Sequence, residues 1–362
     1  MTREIHDRRE RTALGIFNPV ATKFEKAGIN GYVQPRGRLR DDSDGQGVVI
    51  HHTREQFGWS DIQFLFESQP SVFTQLIKNQ LDQMPHVTIH LNTKVEGVEQ
   101  NADGVTTRLS TDGQAHTVHS DYLIGADGAW SAVRKSQNIE FEGFTYPERF
   151  LVVSTAFEYA DHLPQLSYVN YCSDPKEWCV LLRVPTLWRV LFPTKVEETD
   201  DEVMGDESVE RRLQGLLPQA VPYQTVHRTL YKVHQRVAKN FRHGRVLLAG
   251  DSAHINNPLG GMGMNGGVHD AMNLCQKLLG VIQQGHSADM LDRYERQRRS
   301  IAIEYINAST ARNKKEIEER DPVARKTTQD ELRTIAADPK AAKAYIRKTS
   351  MLDALERAEA IA

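Results

Sequence analysis

The sequence predicts an α/β protein: a doubly wound, parallel-sheet domain that is split by an inserted β-rich domain and closed by a helical C-terminal tail. Three observations predict it. "GRVLLAGD" (244–251) is an apolar run of the kind buried in parallel sheets, and it and the apolar strand "YLIG" (122–125) each run into a turn of glycine and aspartate before a helix. Between them, residues 144–235 are β-rich. From 287 to 362 the chain reads as helical and highly charged.

In chain order, residues 1–45 are irregular, with one helix expected around Pro19–Ala27 and ended by Gly28. "GVVIHHT" (47–53) and "IQFLFES" (62–68) read as short strands. Ser68 is placed to cap the next helix, with Pro70 in its first turn. Val72, Phe73, Leu76, Ile77, Leu81 and Met84 then line one face until Pro85. Residues 87–124 read as a β-meander, broken at Asn101–Gly104 and Thr111–Gln114 by Asx-Gly turns. In 144–235 the runs "FLVVSTAFE", "LSYVNYC", "WCVLLRVP" and "WRVLFPT" are followed by the acidic "KVEETDDEVMGDES", which opens a surface helix. After "GRVLLAGD" a helix of about 15 residues is expected from Gly267. The domain reading is 1–143 for the first part of the parallel-sheet domain (47–66 joining the inserted sheet), 144–235 for the insertion, 236–300 for the return and 301–362 for C-terminal helices.

The 362 residues are 39% hydrophobic and 26% charged, the balance of a globular chain with a sizeable core. A net charge of −3 gives no electrostatic case for nucleic acid or an anionic membrane. "RYERQRR" (293–299) is basic, but acids surround it, and it reads as a solvated helix face. Cys172, Cys179 and Cys275 match neither zinc spacing nor a disulfide framework, which points to reduced thiols and a cytoplasmic location. No run approaches the roughly 20 apolar residues of a membrane span. The opening "MTREIHDRRERTALG" has no apolar segment of a secretory signal.

Two stretches carry chemistry. In "YLIGADGAWSAVR" (122–134) a strand runs into Asp127-Gly128, Ser131 is placed to cap a helix, and Arg134 sits in its first turn. The tight turn allows a sugar or phosphate ligand close to the backbone, although Asp-Gly is also a common turn with no ligand at all. In "LLAGDSAHINNPLGGMGMNGG" (247–267) Asp251 follows Gly250 at the strand end, where a carboxylate accepts hydrogen bonds from ribose hydroxyls. After Pro258, glycines 260, 261 and 263 remove Cβ atoms, so a flat ring can lie on the backbone. The helix opening near Met264–Gly267 offers free N–H groups and a positive dipole end to an atom gaining negative charge. A glycine-rich loop serving only a tight strand–helix connection explains one or two of these glycines.

Together these stretches resemble the flavin-dependent aromatic hydroxylases, the group A monooxygenases of the p-hydroxybenzoate hydroxylase fold. In that family the first stretch is a "DG" motif near the FAD and the route of the nicotinamide nucleotide. The second is a "GD" motif whose aspartate binds the FAD ribose, followed by a Pro-x-Gly-Gly-x-Gly-Met-Asn turn against the isoalloxazine ring. Pro258, Gly260, Gly261, Gly263, Met264 and Asn265 fall on that pattern, with Met262 where many members carry glutamine or lysine. "YKVHQRVAKNFRHGRV" (231–246) and "LDRYERQRR" (291–299) are similar to the flanking segments, and Gln69 to a glutamine that contacts the flavin nucleotide. The resemblance covers roughly 13–300 and implies a Rossmann-like FAD domain. Its implied cofactor contacts are Gln69, Asp127, Gly128, Arg134, Gly250, Asp251, Pro258, Gly260, Gly261, Gly263, Met264 and Asn265.

The implied reaction is hydroxylation of a small phenolic or aromatic substrate with NAD(P)H and O2 through a flavin C4a-hydroperoxide, the protein positioning and shielding the cofactor. No metal cluster or Ser/His/Asp set is expected, and a homodimer is compatible. His51, His52, His162, His227 and His234 are candidates to deprotonate a phenol, imidazole titrating near pH 6.5; a merely exposed or hydrogen-bonded histidine is the commoner case.

One family feature is not in this sequence. The strand–GxGxxG–helix unit, roughly 30 residues long, holds the FAD pyrophosphate. The glycines at 15, 28, 31, 37, 45 and 47 do not form it. The parallel sheet is then expected to lack its central strand, with neighbouring backbone unpaired. Three readings follow: an N-terminally truncated form of a normal hydroxylase, a non-catalytic remnant or binding protein with impaired FAD binding, or a flavin halogenase or epoxidase on the same scaffold. The halogenase reading wants a W-x-W-x-I segment, whereas Trp59, Trp130, Trp178 and Trp188 are scattered.

Overall fold

The computed structural model describes residues 3–6, 12–14, 38–39, 48–49 and 77–362 except 164, 165 and 185. Its first sheet has six strands in the order 242–243, 246–248, 122–125, 12–14, 3–6, 87–89. Strands Val246–Leu248 and Tyr122–Gly125 run parallel, and Thr12–Leu14 runs parallel to the other edge of Tyr122–Gly125. The expected gap is therefore absent at that edge: Ala13 pairs with Tyr122 and Leu14 with Leu123. Leu123, Val246, Leu247 and Leu248 are fully buried, as continuous apolar runs in a covered sheet should be. Helices Met262–Gln284 and Asp289–Ile301 close over them with Leu274, Leu278, Leu291 and Tyr294. The Tyr294 hydroxyl donates to the Leu248 carbonyl at 2.6 Å.

Residues Thr93–Ser120 form a separate three-stranded antiparallel meander. Its second turn places Asp112 and Gly113 at φ 49° and 82°, both left-handed, as a tight hairpin requires. The flanking runs Val87–Ile89 and Tyr122–Gly125 leave this meander for the parallel sheet, so the 87–124 reading was too wide. The reason is visible in burial: Tyr122–Gly125 is buried at every position, whereas the meander strands expose alternate ones.

The inserted sheet has six strands ordered 169–172, 179–183, 188–193, 141–155, 225–238, 254–255. Alternation divides it into two faces. Leu151, Val153, Leu181, Val190 and Phe192 pack with Val203, Val209 and Leu213 of the helices Asp200–Met204 and Asp206–Leu216. Phe150, Val180, Leu191 and Val233 pack with Leu259 and Ile317 on the opposite face. That second face is turned toward the glycine-rich turn. Cys172 and Cys179 are direct partners across one strand pair.

The C-terminal helices run Ala308–Glu318, Pro322–Ala337, Pro339–Thr349 and Leu352–Glu359. Asp321 and Asp338 cap two of them, each followed by proline. Among the described residues no helix is long and apolar enough to cross a membrane, and no group of histidine, cysteine and carboxylate side chains could hold a metal ion. Val48–Val49 pairs with Arg38–Leu39, and residues 77–81 are helical. The rest of 47–53, the strand at 62–68, the helix at Pro19–Ala27, and His51, His52 and Gln69 lie outside the described residues.

Candidate functional site

The two chemical stretches meet because their strands are neighbours. Leu248 pairs with Gly125, and the chain turns away immediately after each. Ala249 N–H donates to the Gly125 carbonyl at 3.0 Å. The buried Ser252 hydroxyl donates to the same carbonyl at 2.5 Å. Asp251 therefore lies in a one-turn helix, Gly250–Ser252, rather than on the strand, which stops at Leu248. Asp251 stays exposed. Burial of the surroundings raises its pKa, His254 opposes that rise and Asp270 adds to it.

Ser131 caps the helix Ala132–Ser136 through the Arg134 N–H at 2.8 Å, as its sequence position predicts. One Asp127 carboxylate oxygen accepts from the Val133 N–H at 3.1 Å; the other is buried with no partner. A Cβ on Gly128 would meet nothing within 4 Å, so the space beside this loop is open. Arg134 is deeply buried and ties the two loops together. It donates to the Ser252 carbonyl and to the Ala129 carbonyl, each at 2.7 Å, and lies 3.8 Å over the Phe141 ring. Burial lowers its pKa, and Asp127 works against that shift.

The long helix starts at Met262, not near Gly267, and runs 23 residues instead of about 15. Gly260 and Gly261 take φ 113° and 63°, a turn that a side chain would strain. The Gly261 N–H closes it onto the Pro258 carbonyl at 3.0 Å. No side chain caps the helix start, which leaves its first N–H groups available. Asn265 donates to the Gly261 carbonyl, and its own side-chain oxygen is buried without a partner. Met264 is exposed in the first turn, whereas Met262 is buried against Ile301, Ile306 and Met351. Gly267 packs against the Gly250 backbone, where a Cβ would lie 3.3 Å from the Gly250 Cα. That contact fastens the Asp251 turn to the helix.

A family described as FAD binding domain matches residues 34–309. The chain belongs to this FAD-binding family. It is 35% identical over 332 residues to the para-nitrophenol 4-monooxygenase of Pseudomonas sp. strain WBC-3, covering 86% of this chain and 79% of that protein. It is 31% identical to the 3-(3-hydroxy-phenyl)propionate/3-hydroxycinnamic acid hydroxylase of Klebsiella pneumoniae strain 342, covering 83% of this chain and 52% of that relative. The chain thus spans about half the length of the second relative. The solved p-nitrophenol 4-monooxygenase of Pseudomonas putida DLL-E4 superposes with a TM-score of 0.80 at 27% identity, covering 94% of this chain and 87% of that one.

The site residues fit the FAD of this family. They offer an exposed aspartate, an uncapped helix start, two buried unpartnered acceptors and open space beside Gly128. In this FAD-binding fold the support beneath the site is a buried network that sequence reading missed. Asp270 accepts from Arg298 Nε at 2.7 Å, pairs with His254 Nε2 at 2.8 Å, and accepts the Gly250 N–H at 3.0 Å. Burial alone would raise the Asp270 pKa; His254 and Arg298 outweigh it and hold it at about 2. Of the histidines proposed as bases, His162 stacks on Phe157. His227 pairs with Thr229 at 2.8 Å and His234 with Thr145 at 2.8 Å.

Proposed function

We propose that this flavoprotein hydroxylates a small phenolic ring, taking electrons from NAD(P)H and the oxygen atom from O2. The observation that carries the reading is the convergence of Asp251, the Gly260–Gly261 turn and the uncapped helix start at Met262 on one face, opposite an apolar sheet face. Bound FAD would supply the redox chemistry. The chain's own residues then have three tasks. The Asp251 carboxylate would accept from a ribose hydroxyl, and the unpartnered Asp127 oxygen offers a second acceptor. The helix N-terminus would stabilise negative charge on the flavin ring through its free N–H groups and dipole. Val152, Leu182, Tyr171 and Tyr231 provide a half-buried apolar face on which an aromatic ring can be shielded from water. The names of the two curated relatives each include a hydroxylated aromatic ring, which supports the substrate class.

The test is the visible spectrum of the purified chain after incubation with excess FAD and gel filtration. A retained flavin band, followed by phenol-dependent NAD(P)H oxidation and a hydroxylated product, is the expected result. Asp251→Ala should lose most of the retained flavin while keeping its fold by circular dichroism. A colourless wild-type protein would overturn the reading in favour of a non-catalytic binding protein.

A further inference from the structure

We propose that Gln235 is a positioning residue of the flavin site: it ties a π-helical turn, Ala302–Asn307, to Asn257 and so fixes the Pro258–Gly261 turn. This rests on the reading above that FAD lies against that turn, and it names what braces the turn.

The chain path brings the parts together. Gln235 lies in the strand Thr225–Ala238, two residues on from Val233, so it shares the face that packs with Leu259 and Ile317. Beside it Arg236 pairs with Ile255, and the chain then leaves the sheet through Asn256 and Asn257 into the turn. The helix Asp289–Ile301 continues as the π-helical turn before Ala308–Glu318 begins. Such widened turns interrupt helices mostly at functional sites. Ile306 of this one packs with Met262, and a Cβ on Gly266 would lie 2.9 Å from it. The π-helical turn thus touches the helix that follows the glycines directly. It reaches the chain that precedes them through Gln235.

Hydrogen-bond polarity orients the link. Gln235 and Asn257 are both buried. Gln235 Oε1 accepts from the Asn257 N–H at 3.1 Å and from Asn257 Nδ2 at 3.3 Å. A backbone N–H can only donate, so Oε1 must face Asn257, and Nε2 is left for Asn307 Oδ1 at 2.8 Å and Thr310 Oγ1 at 3.1 Å. Thr310 Oγ1 accepts there because its own proton goes to the Ile306 carbonyl at 2.8 Å. Asn257 Oδ1 accepts from the Leu259 N–H at 3.1 Å, and Asn313 donates to the Leu259 carbonyl at 3.3 Å. Both neighbours of Pro258 are therefore held by side chains. Pro258 has no N–H of its own, and Gly260 and Gly261 at positive φ bring no side chain, so the turn cannot brace itself. A buried amide is unfavourable unless both its ends are bonded, and here both are.

The experiment measures FAD dissociation constants by quenching of flavin fluorescence, and the visible band of the bound flavin, in wild type, Gln235→Met, Asn307→Ala and the double variant. Gln235→Met keeps the volume and strips the Asn257 N–H of its acceptor. It should bind FAD about tenfold more weakly, the scale of leaving a buried donor unpaired, and shift the flavin band. Asn307→Ala removes the far partner of Gln235; it should weaken FAD binding in the wild-type background and by less than about twofold in the Gln235→Met background. Arg212→Met, which breaks the buried Arg212–Glu198 pair beneath the opposite sheet face, is the control: it should melt lower with FAD affinity and band unchanged. Gln235→Met that melts lower with either FAD affinity or band unchanged overturns the proposal and identifies a structural amide only. So does independent weakening by Asn307→Ala in the double variant, or an equal loss of FAD in Arg212→Met. Should Gln235→Met fail to fold, Asn307→Ala decides: FAD affinity within about twofold of wild type overturns the proposal. If Asp251→Ala loses FAD while Gln235→Met keeps it, only this inference falls. If wild type holds no FAD, the flavoprotein reading falls with it.

Discussion

Asp270 organises the site from beneath without a route to solvent. Its carboxylate is fully buried and holds Arg298, His254 and the backbone N–H of Gly250, the residue just before Asp251. Asp270→Asn should therefore destabilise the fold by about 3–5 kcal/mol, because Arg298 is left buried and uncompensated. The sign with pH follows from the depressed pKa. A carboxylate at about 2 when folded and about 3.9 when unfolded stabilises fully above the unfolded value. That contribution is lost as pH falls from about 4 to about 2. Urea unfolding of wild type and Asp270→Asn at pH 7 and pH 3 checks this: the gap should narrow at pH 3, and a constant gap would refute the linkage. The sequence displayed Asp251 and the glycines because they are contiguous. It hid this network because its side-chain pairs are 16 and 28 residues apart, on three different elements, and no local pattern marks a buried charge.

At the scale of elements, the strand–turn–helix units were legible from apolar runs, capping residues and turn chemistry, and their limits were not. Ser131 announced its helix, and the Asp112-Gly113 hairpin followed from residue types that tolerate positive φ. The long helix began five residues before the expected Gly267 because Gly263, Gly266 and Gly267 read as loop. Tertiary packing overrides their low helix propensity: Gly267 meets the Gly250 backbone, and a Cβ on Gly266 would press on Ile306 and His254. Arg134 is the corresponding link between the two loops, and its sequence position alone could not show that its donors point at Ser252 and Ala129. Arg134→Met keeps the volume and removes both bonds. It should cost about 1–3 kcal/mol, the penalty for leaving buried carbonyls unpaired. It should also weaken FAD binding, measured as quenching of flavin fluorescence on titration. Loss of stability with unchanged flavin affinity would show that the loops keep their geometry without this tie.

Across the whole molecule, the C-terminal tail returns to the helix that closes the parallel sheet, a contact no short-range pattern reveals. Arg293 and Gln297 donate to the Ile361 carbonyl at 3.0 and 2.9 Å, and Arg296 donates to Ala362 at 2.8 Å. Gln297 is fully buried and accepts from Asn273, which in turn accepts from the Lys277 ammonium at 2.8 Å. Lys277 is buried beneath this network, and burial lowers its pKa to about 8, with Glu359 partly opposing the shift. A lysine at about 8 when folded and about 10.4 when unfolded carries a buried charge below pH 8, so stability should rise as pH climbs from about 8 to 10.4. Removing residues 359–362 should lower Tm by several degrees at pH 7, since about 1–3 kcal/mol of hydrogen bonding is lost and Gln297 is stripped of its carbonyl partner. It should also open Lys277 to water and flatten the alkaline rise. Thermal melts of both chains from pH 7 to pH 10 separate the two effects. A truncated chain that melts lower but keeps the full alkaline rise would show that the helix pair, rather than the tail, keeps Lys277 dry.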